Sequence, residues 1–188
     1  AVVRRIFPDT ILTVKNILKD GSLVITDERR WLMIKPDGEY IFRFTDFHFA
    51  DNIDSLKQAI EFYLKTFYSS EDVRILKIEK QGEMFRLYLI NRIDGIDVLP
   101  ENLDSNAIIE VEKNRLKEVR GYLTNIFTIR NAKIKVDGMT AIDTIKERKG
   151  DIFIKDIGLK YILKNGSSSY PYWEIITQSG TVYIETIK

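Results

Sequence analysis

The sequence predicts an α+β fold of two tandem units, each an antiparallel β-meander packed against a helix. Three observations predict it. X-Gly dipeptides (Asp20-Gly21, Asp37-Gly38, Gln81-Gly82, Asp94-Gly95, Asn165-Gly166 and Ser179-Gly180) stand between short apolar runs, and glycine supplies the positive φ of tight hairpin turns. From Leu56 to Phe67 apolar residues recur at spacings of three and four, the mark of an amphipathic helix. A second, shorter pattern of this kind starts near Thr140, and strand-like runs follow each helix.

Taken in order, Ala1 is followed almost at once by an arginine pair and a strand-like run. Ile11 to Ile17, Ser22 to Thr26, Trp31 to Lys35 and Tyr40 to Thr45 are rich in β-branched and aromatic residues and read as four hairpin-linked strands. The first helix takes Asp51 or Asn52 as N-cap and turns Leu56, Ala59, Ile60, Tyr63, Leu64 and Phe67 inward. Val73 to Lys80, Met84 to Asn91, Ala107 to Glu112 and Leu116 to Ile126 are strands. In the second of them, alternation sends Phe85, Leu87 and Leu89 to one face and Arg86, Tyr88 and Ile90 to the other. Thr140 caps the second helix, Ala141, Ile142 and Ile145 form its apolar face, and Gly150 stops it. Asp151 to Leu163, Tyr172 to Gln178 and Thr181 to Ile187 complete the strands.

This order divides the chain into an N-terminal meander over residues 1–50 that joins a first helix-plus-sheet unit at 51–130, and a second unit at 131–188. The hairpin FRLYLINRIDGIDVL of the first unit corresponds to YWEIITQSGTVYIET of the second. Each has an aromatic at its start, a Gly-containing turn and an alternating return strand. Two small domains and one continuous fold both satisfy this pattern.

Composition sets outer bounds on function. The 188 residues suffice for a sizeable core, and 29 Lys and Arg nearly cancel 28 Asp and Glu, with the two signs interspersed. No basic block marks a nucleic-acid partner, and Glu147, Arg148 and Lys149 read as solvated surface. No apolar run reaches the roughly 20 residues of a membrane-spanning helix. The chain opens without methionine, so the lack of a signal or anchor in it is uninformative. Zero cysteines exclude disulfides and thiolate metal sites, while leaving the outside of a Gram-positive cell open as a location.

The closing run PYWEIITQSGTVYIETIK resembles the last hairpin of PepSY-like domains. Taken with the upstream helix, with LKYILKNGSSSYPYW and with FRLYLINRIDGIDVL, the stretch from Tyr40 to Lys188 resembles the YycH and YycI family. That resemblance implies PepSY-like modules on the extracytoplasmic face of a Gram-positive membrane, held by an N-terminal helix that precedes this chain. The implied function is non-catalytic: regulation of the two-component sensor kinase of the cell wall, through contact with the kinase or a sister regulator. It supplies no catalytic residues and no cofactor. The alternative is a PepSY-like inhibitor or sporulation-associated module that restrains a protease or wall hydrolase.

Candidate chemistry is sparse. His48, the only histidine, lies two residues from Asp46, but no serine stands in a Gly-x-Ser-x-Gly elbow to complete a nucleophilic set. One imidazole with scattered carboxylates lacks metal-ligand spacing, and Asp94 and Asp97 are explained by their turn. Neither a catalytic nor a metal residue is assigned. A hydrolase built on distant carboxylates such as Asp46 and Asp104 is the one enzymatic route left. The patch GSSSYPYW, Gly166 to Trp173, joins a flexible loop to aromatics suited to partner contact, giving Tyr170, Tyr172 and Trp173 as the candidate binding residues. Alternation groups Trp173 with Ile175 in the core and leaves the two tyrosines as the better candidates for exposure.

Overall fold

The computed structural model describes residues 2–7, 14–49, 54–68, 72–100, 105–123, 134–163 and 170–187. A short helix α1 (Val2–Ile6) replaces the strand-like opening expected from the sequence. Ile6 and Phe7 bury themselves in the main core, and the Arg30 guanidinium donates to the Ile6 carbonyl, so tertiary contacts decide this segment. Strands β1 (Val14–Ile17), β2 (Leu23–Thr26), β3 (Arg30–Ile34) and β4 (Glu39–Phe44) form the expected meander. Helix α2 (Ser55–Thr66) follows, then β5 (Val73–Gln81), β6 (Met84–Ile93), β7 (Ile96–Pro100), β8 (Ala107–Glu112) and β9 (Arg115–Tyr122). Helix α3 (Gly138–Lys149) precedes β10 (Ile154–Leu163), β11 (Tyr172–Thr177) and β12 (Gly180–Glu185).

Most of the described hairpins turn on a glycine. Gly21, Gly38, Gly82, Gly95 and Gly180 all have positive φ, whereas the Asn165-Gly166 turn lies outside the described residues, as do Ile11 to Thr13 and Thr124 to Ile126 of the expected strands. Both helix starts differ from expectation. Asp54, not Asp51 or Asn52, caps α2 by accepting from the Leu56 N–H, and Asp51 and Asn52 are outside the described residues. Asp137 caps α3 by accepting from the N–H of Thr140, the residue expected to be the cap. A carboxylate accepts this bond and is further stabilised by the positive end of the helix dipole, which a hydroxyl is not. Gly150, at φ 75°, ends α3 as expected.

The twelve strands of the described residues join in one sheet, in the order β1-β2-β3-β4-β9-β8-β6-β7-β10-β11-β12, with β5 off this path and paired to β6. The antiparallel plan has one exception. β7 and β10 pair in parallel, Asp97 opposite Lys160 and Pro100 opposite Leu163, a pairing that needs the long crossover carrying β8, β9 and α3. β8 and β7 take successive stretches of β6, Met84–Leu89 and Asn91–Ile93. Between them the Asn91 N–H is met by the Asn106 side chain at 2.8 Å, which stands in for a ladder bond.

Cross-strand partners share a face of a sheet, which fixes where the helices lie. Val119, Ile109, Leu87, Val98 and Tyr161 fall on one face and share a buried cluster with Ala59 and Tyr63 of α2. By the same registers Trp173, Ile175 and Ile184 continue that face and pack against Ala141 and Ile145 of α3. Both longer helices therefore cover the same side. The α2 cluster is strongly aromatic: Tyr40 stacks on Phe67 and Phe44 on Phe47, each at 4.5 Å, while Phe42 meets Phe44 edge-on at 4.7 Å, contacts worth about 0.5–1.5 kcal/mol each beyond burial.

Candidate functional site

The other side of the sheet carries no described helix. Here the residues between the buried positions of each strand come together as rows. One row runs Trp31, Arg43, Glu118, Glu110, Arg86, Glu79 through β3, β4, β9, β8, β6 and β5. Beside it lies Met33, Ile41, Arg120, Ile108, Tyr88, Lys77. The rows interlock by charge. Arg43 Nε is 2.7 Å from Glu118, Arg86 is 2.7 Å from Glu110, and Arg120 reaches Glu110 at 3.4 Å and Glu118 at 3.7 Å. Glu110 and Glu118 are direct cross-strand neighbours, a repulsive pairing that the three arginines offset. At one end the Arg43 guanidinium lies 5.3 Å from the Trp31 ring. At the other Lys77 and the Tyr88 hydroxyl both donate to Glu79, and these bonds hold its carboxyl below the usual value.

The same face continues past β6. Arg92 and Asp97 are cross-strand partners, Arg74 also binds Asp97, and that bond raises the Arg74 guanidinium further above its ordinary value. Lys160 pairs with Glu174, whose second oxygen accepts from the Tyr183 hydroxyl at 3.1 Å. Tyr172 belongs to this face, two residues along the strand from Glu174. The outcome is a broad, half-exposed surface of fixed, alternating charge with aromatic residues at both ends.

The three aromatics singled out in the sequence divide between the two sides. Tyr172 lies on the open face, and the Tyr170 ring stands 5.3 Å from it. The hydrogen bond between their hydroxyls, with burial added, pushes the Tyr170 phenol up to about 12. Trp173 turns to the helix side, packs in the α3 cluster and donates its indole N–H to the Val136 carbonyl at 2.8 Å. Gly166 to Ser169 and Asp104 lie outside the described residues.

His48 bridges two partners, with Nε2 3.0 Å from Asp46 and Nδ1 3.3 Å from the Asn114 side chain. Asp46 also lines an open cleft of about 560 Å³ with Asp27, Glu28, Arg29, Arg30, Phe44 and Phe47. Asp27 is engaged there by the Arg30 side chain and by the N–H groups of Arg29 and Arg30. Burial would raise its carboxyl, but those bonds outweigh burial and hold it low. Among the described residues, no group of three or more His, Asp and Glu side chains is arranged to hold a metal ion. Alternation could reveal which residues leave the core, but not this face: Arg43 and Glu118 are 75 positions apart and meet only through the strand order.

No protein-family model matches the chain, and no curated protein matches it. Among solved structures it is similar to the C-terminal domain of YpeB from Bacillus megaterium, with 15% identity, a TM-score of 0.43, and coverage of 98% of this chain and 89% of that one. That similarity is too slight for the two folds to be equated.

Proposed function

We propose that this chain is a non-catalytic, PepSY-like protein-binding module, of two tandem units, that restrains a protease or a cell-wall hydrolase, as a sporulation-associated inhibitor would. The observation that carries the reading is the one-sided sheet. Covering one face with both longer helices leaves a wide rigid surface whose charges are already paired and held in place, so a matching partner meets little ordering cost. Fixed alternating charge favours specific docking over unspecific apolar adhesion. Trp31 at one end, with Tyr170 and Tyr172 at the other, supplies aromatic anchors of the kind that dominate binding energy. Trp173 takes a supporting part by holding the strand that presents Tyr172.

Titrating the 188-residue chain into secreted proteases and peptidoglycan hydrolases tests the proposal. Saturable inhibition with direct binding supports it. Lack of binding to every member of the panel, together with hydrolysis by the chain itself that Asp46→Asn abolishes, would replace it with the carboxylate-hydrolase reading. A narrower reading places the chain outside a Gram-positive membrane, on an anchor preceding Ala1, as a YycH- or YycI-like regulator of a sensor kinase or its sister regulator. It rests on the sequence resemblance, and a kinase ectodomain in the same titration separates the two.

A further inference from the structure

β5 is an edge strand unlike the others. It is nine residues long, pairs with β6 alone among the described strands, and is exposed at every position from Arg74 to Gln81. Ile75, Leu76 and Ile78 are 42, 39 and 48% exposed. A long edge with an apolar run is a template for a further strand. Its free hydrogen-bonding groups can be assigned. The two-residue Gly82-Glu83 turn closes on the Gln81–Met84 pair, so Gln81, Glu79 and Lys77 direct their N–H and C=O groups to β6. Ile78 and Lys80 direct theirs outward.

We infer that the occupant of this edge is β5 of a second copy, paired antiparallel about a two-fold axis at Ile78. Charge selects both the partner and the register. Centring on Lys77 or on Glu79 would set that residue against itself. Centring on Ile78 sets Lys77 opposite Glu79 of the second copy, twice over by symmetry, while Ile78 meets its own counterpart and the Lys80 stem lies along Leu76 of the second copy. The charged row then continues across the junction as Glu110, Arg86, Glu79 and Lys77 of the second copy, alternating in sign throughout. The register shift between Ile75 and Lys77 breaks the strand beyond this stretch, which closes the pairing as a dimer. The two open faces join into one surface.

Sedimentation equilibrium of the 188-residue chain, over about three decades of concentration around the micromolar range, reads this directly. The wild type follows a monomer–dimer equilibrium. Lys77→Glu and Glu79→Lys singly turn two attractive pairs into two repulsive ones and lower the association constant about tenfold or more. Their combination restores it to within about threefold, because the exchanged charges face each other again. Ile78→Pro abolishes the dimer and leaves circular dichroism unchanged, since that N–H points away from β6. A wild type that stays monomeric at every concentration overturns the inference. So does a combined variant no better than the singles, or a proline variant that dimerises like the wild type; should that variant misfold, the charge exchange carries the test alone.

Discussion

Gly121→Ala is expected to cost this fold about 2–4 kcal/mol, and the reason lies in one crowded point of the sheet. Gly121 sits in β9 opposite Tyr40 and Ala107, with no positive φ that would itself demand glycine. A Cβ there would meet the Asn106 carbonyl oxygen at 2.4 Å and the Ala107 Cα and Cβ at 3.1 Å. Asn106 cannot step aside cheaply. Its N–H donates to Leu89, its side-chain oxygen accepts from Asn91, and its carbonyl accepts from Tyr122. Overpacking contributes about 1–3 kcal/mol. Loss of the Tyr122 bond adds about 1 kcal/mol. For a chain of this length the sum lowers Tm by about 5–15 °C. Gly158→Ala is the matched control, because no atom lies within 4 Å of a Cβ at that strand position. It should be neutral or up to about 1 kcal/mol more stable. Urea denaturation of both variants checks the pair, and a Gly121→Ala stability within about 0.5 kcal/mol of wild type would refute the reasoning.

Tyr63→Phe removes the hydroxyl that donates to Asn91 at 2.8 Å in the core, and should cost about 1–3 kcal/mol because the Asn91 oxygen is left unpaired. Thermal melting reads it. Asp27→Asn should destabilise by about 1–2 kcal/mol at neutral pH and flatten acid unfolding. The sign follows from the lowered carboxyl: its contribution is full above the ordinary value of 3.8 and is lost as pH falls through the depressed value, so a variant with wild-type acid sensitivity argues against it. Trp173→Phe keeps most of the packing but leaves the Val136 carbonyl without its donor, for about 1 kcal/mol and faster amide exchange in α3.

What the sequence disclosed and withheld follows from the range of the interactions concerned. Hairpins were legible where glycine sits at positive φ, as at Gly21 and Gly95. Two turns carried no such mark. The β2–β3 turn is closed by the Asp27 carboxylate on the Arg29 and Arg30 N–H groups, and the β8–β9 turn places Lys113 at φ 56°. Helix faces were legible because Ala59, Tyr63, Ala141 and Ile145 obey the helical period, whereas the caps differed since several adjacent polar residues could accept the same bond. The parallel β7–β10 pair left no local trace, since neither IDVLP nor KYIL carries the crossover that joins them. For the candidate site, alternation marked Arg86 and Tyr88 as outward, and proximity in sequence marked Tyr170 and Tyr172. It could not bring Tyr172 onto the same face as Trp31, because that face exists only once β6 has recruited strands from both ends of the chain.

The central claim, that the open face of the sheet is the recognition surface, is tested most directly by binding to whichever hydrolase, protease or kinase ectodomain the titrations select. Isothermal titration would compare the wild type with Trp31→Ala, Arg43→Ala and Tyr172→Ala on that face, and with Lys65→Ala on the exposed side of α2, across the sheet from it. We predict an affinity loss of about tenfold or more for at least two of the three face variants, and none for Lys65→Ala. Undiminished binding by all three, with loss in the Lys65 variant, would contradict the claim and move the site to the helix side of the sheet.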